Sequence, residues 1–154
     1  MRWRLYALVP LILLALAGCG DDDGGGSAPD GAGQRRNLAP GEALISYSIV
    51  GGSQNIDNEL EVQPDGSYTV ERGKEKLTGT ISQARLASLE KLFTDAAFED
   101  IQSDTTRLND INGQPNYDIR YNGHPVTVIH GITNGKLIPI AAALDAFIAS
   151  PPTD

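Results

Sequence analysis

The chain has 154 residues, with 12 Lys and Arg against 20 Asp and Glu, and a formal net charge of −8 at pH 7. This length fits one modest domain, and the acidic balance argues against a surface that neutralises nucleic-acid phosphates. A single Cys excludes an intramolecular disulfide and a Cys-based zinc cage, and two His residues leave little for metal or acid–base chemistry.

The first 18 residues have the features of a secretory signal peptide. Arg2 and Arg4 give a positive start, and the stretch from Leu5 to Ala17 is almost continuously apolar. That stretch is shorter than the ~20 apolar residues that a membrane-spanning helix needs, but it suits the apolar region of a signal peptide. We therefore expect residues 1–18 to be removed.

The end of this segment, Leu16-Ala17-Gly18-Cys19, resembles the lipobox of bacterial lipoproteins. The resemblance implies cleavage before Cys19, a diacylglycerol on its thiol and acylation of the new amino group. Two or three acyl chains attach a protein stably to a membrane, whereas one chain does so only marginally. We therefore expect an extracytoplasmic protein that is anchored to a bacterial membrane by lipid on Cys19. The alternative is an uncleaved signal anchor that keeps Cys19 as a buried thiol.

Residues 19–42 comprise the lipidated Cys and a segment rich in Gly and Asp, in which Leu38 is the one large aliphatic residue. Such a composition cannot form a core and predicts a flexible tether. An acidic run at residues 21–23 lies beside the anchor, where an anionic membrane would repel it. Gly20 rather than Asp follows the Cys, which favours the outer membrane or the cell surface as the destination.

The predicted globular domain, residues 43–150, begins with patterns that are typical of four strands. Residues 43–50 are rich in β-formers and end at Gly51-Gly52. Two alternating segments, ELEVQ and SYTVE, lie on either side of the turn formers Pro-Asp-Gly-Ser at 64–67, with Pro expected first in the turn. A fourth short strand is expected within residues 76–81.

Two helices and a second hairpin follow. Ser82 is a suitable N-cap for a helix whose apolar face carries leucines and Phe93 at helical spacing. Residues 99–115 lack periodicity and predict an irregular loop. Asn122-Gly123, which a type I′ turn prefers, joins two strands, and Pro139 begins a closing helix. The order β-β-β-β-α-β-β-α predicts an α+β domain with helices packed on one face of a mostly antiparallel sheet.

The sequence contains no pattern of catalytic residues, and we expect no enzymatic activity, cofactor or metal. His124 and His130 lie near the two ends of one predicted strand, and exposure of both to solvent is the favoured interpretation. The alternatives are a two-His site on one face of that strand and a hydrolase that depends on His130.

A calcium site in the loop 104–114 is a further alternative, since Asp104, Asp110 and Asn112 supply oxygen ligands. An EF-hand alignment fails, however, because Leu108 and Ile119 fall where Asp and Glu are required. A turn-rich surface loop is therefore favoured.

The Gly pair after the first strand opens the most distinctive loop of the domain. The run Gly51-Gly52-Ser53-Gln54 lacks the Lys and the spacing of a phosphate-binding loop, and no helix is predicted after it. It is better suited to a sharp strand end or to the presentation of backbone amides to a protein partner.

The layout of residues 44–149 is similar to that of the emfourin family, bacterial protein inhibitors of protealysin-like, thermolysin-type metallopeptidases. The shared features are the first strand that runs into the Gly pair, the turn at Asp65-Gly66, leucines at three-residue spacing before Ala97-Phe98, and the strand 117–121 before a closing helix. In that family an aromatic residue follows the Gly pair, where this chain has Ser53-Gln54. The resemblance implies a thermolysin-type metallopeptidase as the partner.

Two functions are consistent with these features. The first is a tethered binding domain that restrains a secreted metallopeptidase. Its contact residues would be Gly51, Gly52, Ser53, Gln54 and Asn55, extended to Asp57, with the loop 104–114 as a second surface. The second is a structural or accessory lipoprotein of the cell envelope without a role in proteolysis.

Overall fold

A computed structural model describes residues 36–104, 113–129 and 131–152. This part of the chain contains a six-stranded sheet, two α-helices and one short 3-10 helix. In chain order they are β1 (Ile45–Gly51), β2 (Ile56–Val62), β3 (Ser67–Arg72), β4 (Glu75–Thr80), α1 (Gln83–Asp95), the 3-10 helix Phe98–Asp100, β5 (Pro115–Tyr121), β6 (His124–Val128) and α2 (Ile138–Ala149). The predicted α+β class and order of elements are confirmed.

The strands form one antiparallel sheet in the order β4-β3-β2-β1-β5-β6. β1 is an interior strand between β2 and β5. Its first residue, Ile45, pairs with Val62 and Tyr121, the last residues of those two strands. We call this end of the sheet the base. At the opposite end, Gly51 pairs with Ile56 and Pro115.

Both helices cover the same face of the sheet. Phe147 of α2 packs edge to face on Tyr68 of β3, with ring centroids 5.0 Å apart. Phe93 of α1 stacks on Tyr121 of β5 at 4.4 Å. Because side chains alternate along a strand and these residues share one register, the two contacts lie on one face. The predicted arrangement of helices on one face is therefore confirmed.

The turn between β2 and β3 begins one residue earlier than expected. The Gly66 amide donates to the Gln63 carbonyl at 2.9 Å, so Pro64 is the second residue of the turn and Gly66 the fourth. Gly66 has φ +89°, and an added Cβ would lie 2.6 Å from the Ile81 carbonyl oxygen. Glycine is therefore required at this corner by both conformation and space.

Gly79 in β4 leaves room for a buried tyrosine. A Cβ at Gly79 would collide with the Tyr68 ring, which lies across β4. The Tyr68 hydroxyl donates to the Pro152 carbonyl at 2.6 Å and so holds the chain that leaves α2. The sequence pattern placed Ile81 in this strand, and the structure places it just after the strand, where it is buried.

The termini of the helices follow the sequence signals in part. Ser82 is the N-cap of α1, but its carbonyl oxygen, rather than its side chain, accepts from the first turn, from the amides of Arg85 and Leu86. The apolar face predicted for α2 is buried, and Pro139 lies in its first turn. Asn122 and Gly123 have φ of 51° and 78°, as a type I′ turn requires.

No helix within the three described ranges is long and apolar enough to cross a bilayer. The signal peptide, the lipobox with Cys19 and the tether as far as residue 35 lie outside those ranges. Removal of residues 1–18 and lipidation of Cys19 thus stay predictions.

Candidate functional site

The hairpin loop between β1 and β2 turns sharply because three of its residues have positive φ. The values are 89° for Gly51, 73° for Gly52 and 49° for Asn55, and Asn is among the residues that adopt this region most readily. The Asn55 amide donates to the Gly52 carbonyl at 3.1 Å, which closes the turn. Ser53, Gln54 and Asn55 are exposed, so the residues predicted to contact a partner are accessible at the end of the sheet.

The hairpin loop is hydrogen-bonded to the segment that precedes β5. The Ser53 amide donates to the Gly113 carbonyl at 2.8 Å. A Cβ at Gly52 would lie 3.1 Å from the Pro115 nitrogen and 3.2 Å from the Gly113 oxygen, so glycine permits this close approach. The structure therefore brings the first predicted contact loop against residues 113–114, the end of the second. Residues 105–112 of that second loop lie outside the described residues.

A third loop, residues 131–135, lies beside residue Gln114 of the second. A Cβ at Gly131 would be 3.7 Å from Oε1 of Gln114, and the Asn134 side chain accepts from the Lys136 amide at 3.0 Å. Sequence reasoning did not assign this loop to a site, although its Gly131 and Asn134-Gly135 are turn signals. We call residues 51–55, 113–114 and 131–135 together the loop end.

The loop end has no charged side chain among its residues. Its surface consists of backbone, amide and hydroxyl groups, with Val50, which is 49% exposed, beside it. Electrostatic attraction contributes little to binding at such a surface, so shape and hydrogen bonding decide the affinity.

The face of the sheet opposite the helices, which we call the open face, is acidic. Its charged residues are Asp57, Glu59, Glu61, Glu71, Lys76, Asp118 and Arg120. Burial and the neighbouring carboxylates of Glu61 and Glu71 raise the pKa of Glu59. A partner that binds the open face would therefore experience a negative electrostatic field, which salt screens. The residues of the loop end carry no such charges.

His124 is half-buried rather than exposed, which corrects the expectation for this residue. Its Nε2 lies 3.3 Å from the Ile101 carbonyl oxygen, and its ring packs edge to face against Phe98 at 5.7 Å. These contacts arise because β6 begins at the base, under the 3-10 helix. His130 lies outside the described residues, so the predicted pairing of the two His residues is not tested.

Asp104 binds backbone at the edge of the sheet. Its amide donates to the Thr127 carbonyl at 2.8 Å, and its carboxylate accepts from the Ile129 amide at 3.3 Å. Asp110 and Asn112 of the proposed calcium loop lie outside the described residues. In the described ranges no three His, Cys, Asp or Glu residues come together in a way that could hold a metal ion.

A tyrosine–carboxylate pair connects α2 to β1. The fully buried Tyr47 donates its hydroxyl to Oδ1 of Asp145 at 2.9 Å. Burial, followed by the Asp145 charge, raises the pKa of Tyr47 well above its usual range. Partial burial also raises the pKa of Asp145, although the Tyr47 hydrogen bond opposes this shift. The sequence pattern placed Tyr47 in the core and gave no signal for its partner.

The sequence matches no protein-family model and no curated protein. The resemblance to the emfourin family thus stays a prediction from the sequence features described above.

Proposed function

We propose that the chain is a membrane-anchored, extracytoplasmic lipoprotein whose domain binds and inhibits a thermolysin-type metallopeptidase through the loop end. The binding role depends on one observation above all, the hydrogen bond of 2.8 Å from the Ser53 amide to the Gly113 carbonyl. This bond joins two exposed loops into one surface. The lipobox supports the anchor, and the emfourin resemblance supports the class of partner.

Fixed loops suit an inhibitor because they lose little conformational freedom on binding. Ordering a flexible side chain at an interface costs about 0.5–1.5 kcal/mol, and rigid elements avoid much of this cost. The left-handed residues of the hairpin, Gly51, Gly52 and Asn55, also keep the loop out of the extended conformation of a peptide substrate. A loop held in this way can occupy a peptidase cleft and resist cleavage.

The test is inhibition of a thermolysin-type peptidase by the chain from residue 20, which lacks Cys19 and therefore the lipid. We expect inhibition at micromolar concentration that depends less on salt than binding at the acidic open face would, because the residues of the loop end carry no charge. No inhibition at micromolar chain would overturn the peptidase role and leave the accessory envelope function.

Two matched variants locate the inhibitory surface. Gln54 in the loop end and Gln102 near the base are both exposed, so the same substitution serves as test and control. We expect Gln54→Arg to weaken inhibition by about tenfold or more, because a long charged side chain disrupts a packed interface. A tenfold change corresponds to about 1.4 kcal/mol of binding free energy. Gln102→Arg should leave inhibition unchanged. Equal effects of the two variants would contradict binding at the loop end.

A further inference from the structure

We infer that the loop end faces away from the membrane, so that its partner is a soluble protein that approaches from the aqueous side and not one embedded in the same membrane. The inference depends on the lipid anchor at Cys19, which belongs to the proposed function. It follows from where the N-terminal segment joins the sheet.

Residues 36–42, which composition grouped with the tether, are attached to the base. The Arg36 amide donates to Oδ1 of Asn122 at 2.8 Å. Leu38 packs against the core, and a Cβ at Gly123 would lie 3.9 Å from its Cδ2. The segment therefore contacts the turn between β5 and β6.

The next residues hold the segment at the same end. The Glu42 amide donates to the Ala39 carbonyl at 2.9 Å, and the Glu42 carboxylate lies 3.8 Å from the Arg120 guanidinium. Leu44 is fully buried; its carbonyl accepts from the Asn122 amide at 2.9 Å, and its own amide donates to Val62 at the same distance. The chain thus enters the domain at the base and reaches the loop end only by crossing the sheet as β1.

The length of β1 sets the distance between the base, where the anchored segment attaches, and the loop end. The 7 residues of β1 span about 20 Å at ~3.4 Å per residue. The 16 residues between Cys19 and Arg36 connect the anchor to the base and not to the loop end. The anchor therefore acts on the base, and the loop end lies about 20 Å from the base.

Charge opposes the alternative in which the domain lies flat on the lipid. The open face carries five carboxylates against Lys76 and Arg120, and an anionic membrane repels it. On the helix-covered face, Lys91 of α1 is paired with Asp95, which weakens its attraction to anionic headgroups. An upright domain with the loop end outermost is thus favoured.

The test is energy transfer from a fluorophore on the domain to acceptor-labelled lipid headgroups, with the full lipidated chain in vesicles that contain anionic lipid. Gln54→Cys places the fluorophore at the loop end, and Gln102→Cys places it near the base, where neighbouring Ile101 contacts His124. Cys19 does not react when its thiol carries lipid. We expect clearly stronger transfer from position 102 than from position 54.

Equal transfer from the two positions, or stronger transfer from position 54, would overturn the orientation. No transfer from either position, together with a failure to float with the vesicles, would overturn the anchor on which the inference depends. Both results are independent of any peptidase.

A second measurement tests the kind of partner. We expect the vesicle-bound chain to inhibit a soluble thermolysin-type peptidase within about twofold of the chain from residue 20, because the loop end is not covered by lipid. Inhibition only by the lipid-free form would overturn access from the aqueous side. Inhibition by neither form would overturn the proposed function, and energy transfer would still decide the orientation.

Discussion

Substitution of Gly52 by Ala tests whether the contact between the two loops is as tight as the structure indicates. The added Cβ would lie 3.1 Å from the Pro115 nitrogen and 3.2 Å from both the Gly113 oxygen and the Pro115 Cδ. These atoms belong to backbone and to a proline ring, so they cannot rotate away as a flexible side chain would. The loop must move outward by a few tenths of an ångström, and the Ser53–Gly113 hydrogen bond weakens.

Gly51→Ala is the matched control. Both glycines have positive φ, so both variants pay the left-handed penalty of roughly 1–2 kcal/mol. A Cβ at Gly51 meets no atom within 4 Å, so that variant carries the conformational penalty alone. The crowding at Gly52 adds about 1–3 kcal/mol, the usual range for overpacking. We therefore expect losses of about 1–2 kcal/mol for Gly51→Ala and about 2–5 kcal/mol for Gly52→Ala.

Urea unfolding of the chain from residue 20, followed by far-UV circular dichroism, measures the free energy of unfolding of both variants. The Gly52 variant should also lose more inhibition than the Gly51 variant, because it separates the hairpin loop from residues 113–114. Equal losses of stability in the two variants would refute the close approach of Gly52 to Gly113 and Pro115.

Three further predictions concern other parts of the chain. Gly79→Ala should destabilise the domain by about 2–4 kcal/mol in urea unfolding, because it displaces the Tyr68 ring and its buried hydrogen bond; a loss under 1 kcal/mol would contradict the packing. The raised pKa of Asp145 means that the folded state holds this proton more tightly, so stability from the group is present below the unfolded pKa and is lost as pH rises through the folded pKa. Asp145→Asn keeps an acceptor for Tyr47 but does not titrate. The free energy of unfolding of this variant, measured relative to wild type, should therefore increase as pH rises from 3 to 7. A decrease over the same range would refute the raised pKa of Asp145. Cys19→Ala should move the protein from the membrane to the soluble fraction or leave an unprocessed precursor, whereas normal processing and membrane retention would contradict the lipobox.

Local signals predicted the elements well, because each depends on residues close together in the chain. The helical spacing of the leucines up to Phe93 and the apolar face of α2 fix which sides of the helices are buried. Asn122-Gly123 fixes a turn through its positive φ values. The turn at Gly66 was located one residue late because Pro64 was assigned to the first position, whereas the fixed φ of proline suits the second.

Local sequence signals could not predict the strand order or which loops form the candidate site, because both depend on pairing between residues far apart in the chain. Nothing local indicates that β5 pairs with β1 rather than with β4. Since that pairing brings Gly113 to Ser53, the union of the two loops could not be predicted. The hydrogen bond from Tyr47 to Asp145 is likewise unpredictable, since the two residues lie 98 positions apart.

The same limit applies to residues 36–42. Their composition is that of a tether, but a few specific contacts, such as the one from Arg36 to Asn122, attach them to the base. The composition of such a segment predicts that it cannot form a core of its own, but it does not predict the hydrogen bonds that the segment makes to the domain.

The most direct test of the loop end as the binding surface is photo-crosslinking to a thermolysin-type metallopeptidase. A photoreactive amino acid replaces Gln54 in one variant and Thr78, which is exposed on the open face, in another. Crosslinking of the peptidase from position 54 and not from position 78 is the result that we predict. Crosslinking from position 78 alone, or from neither position at micromolar concentrations of both proteins, would contradict binding of the peptidase at the loop end.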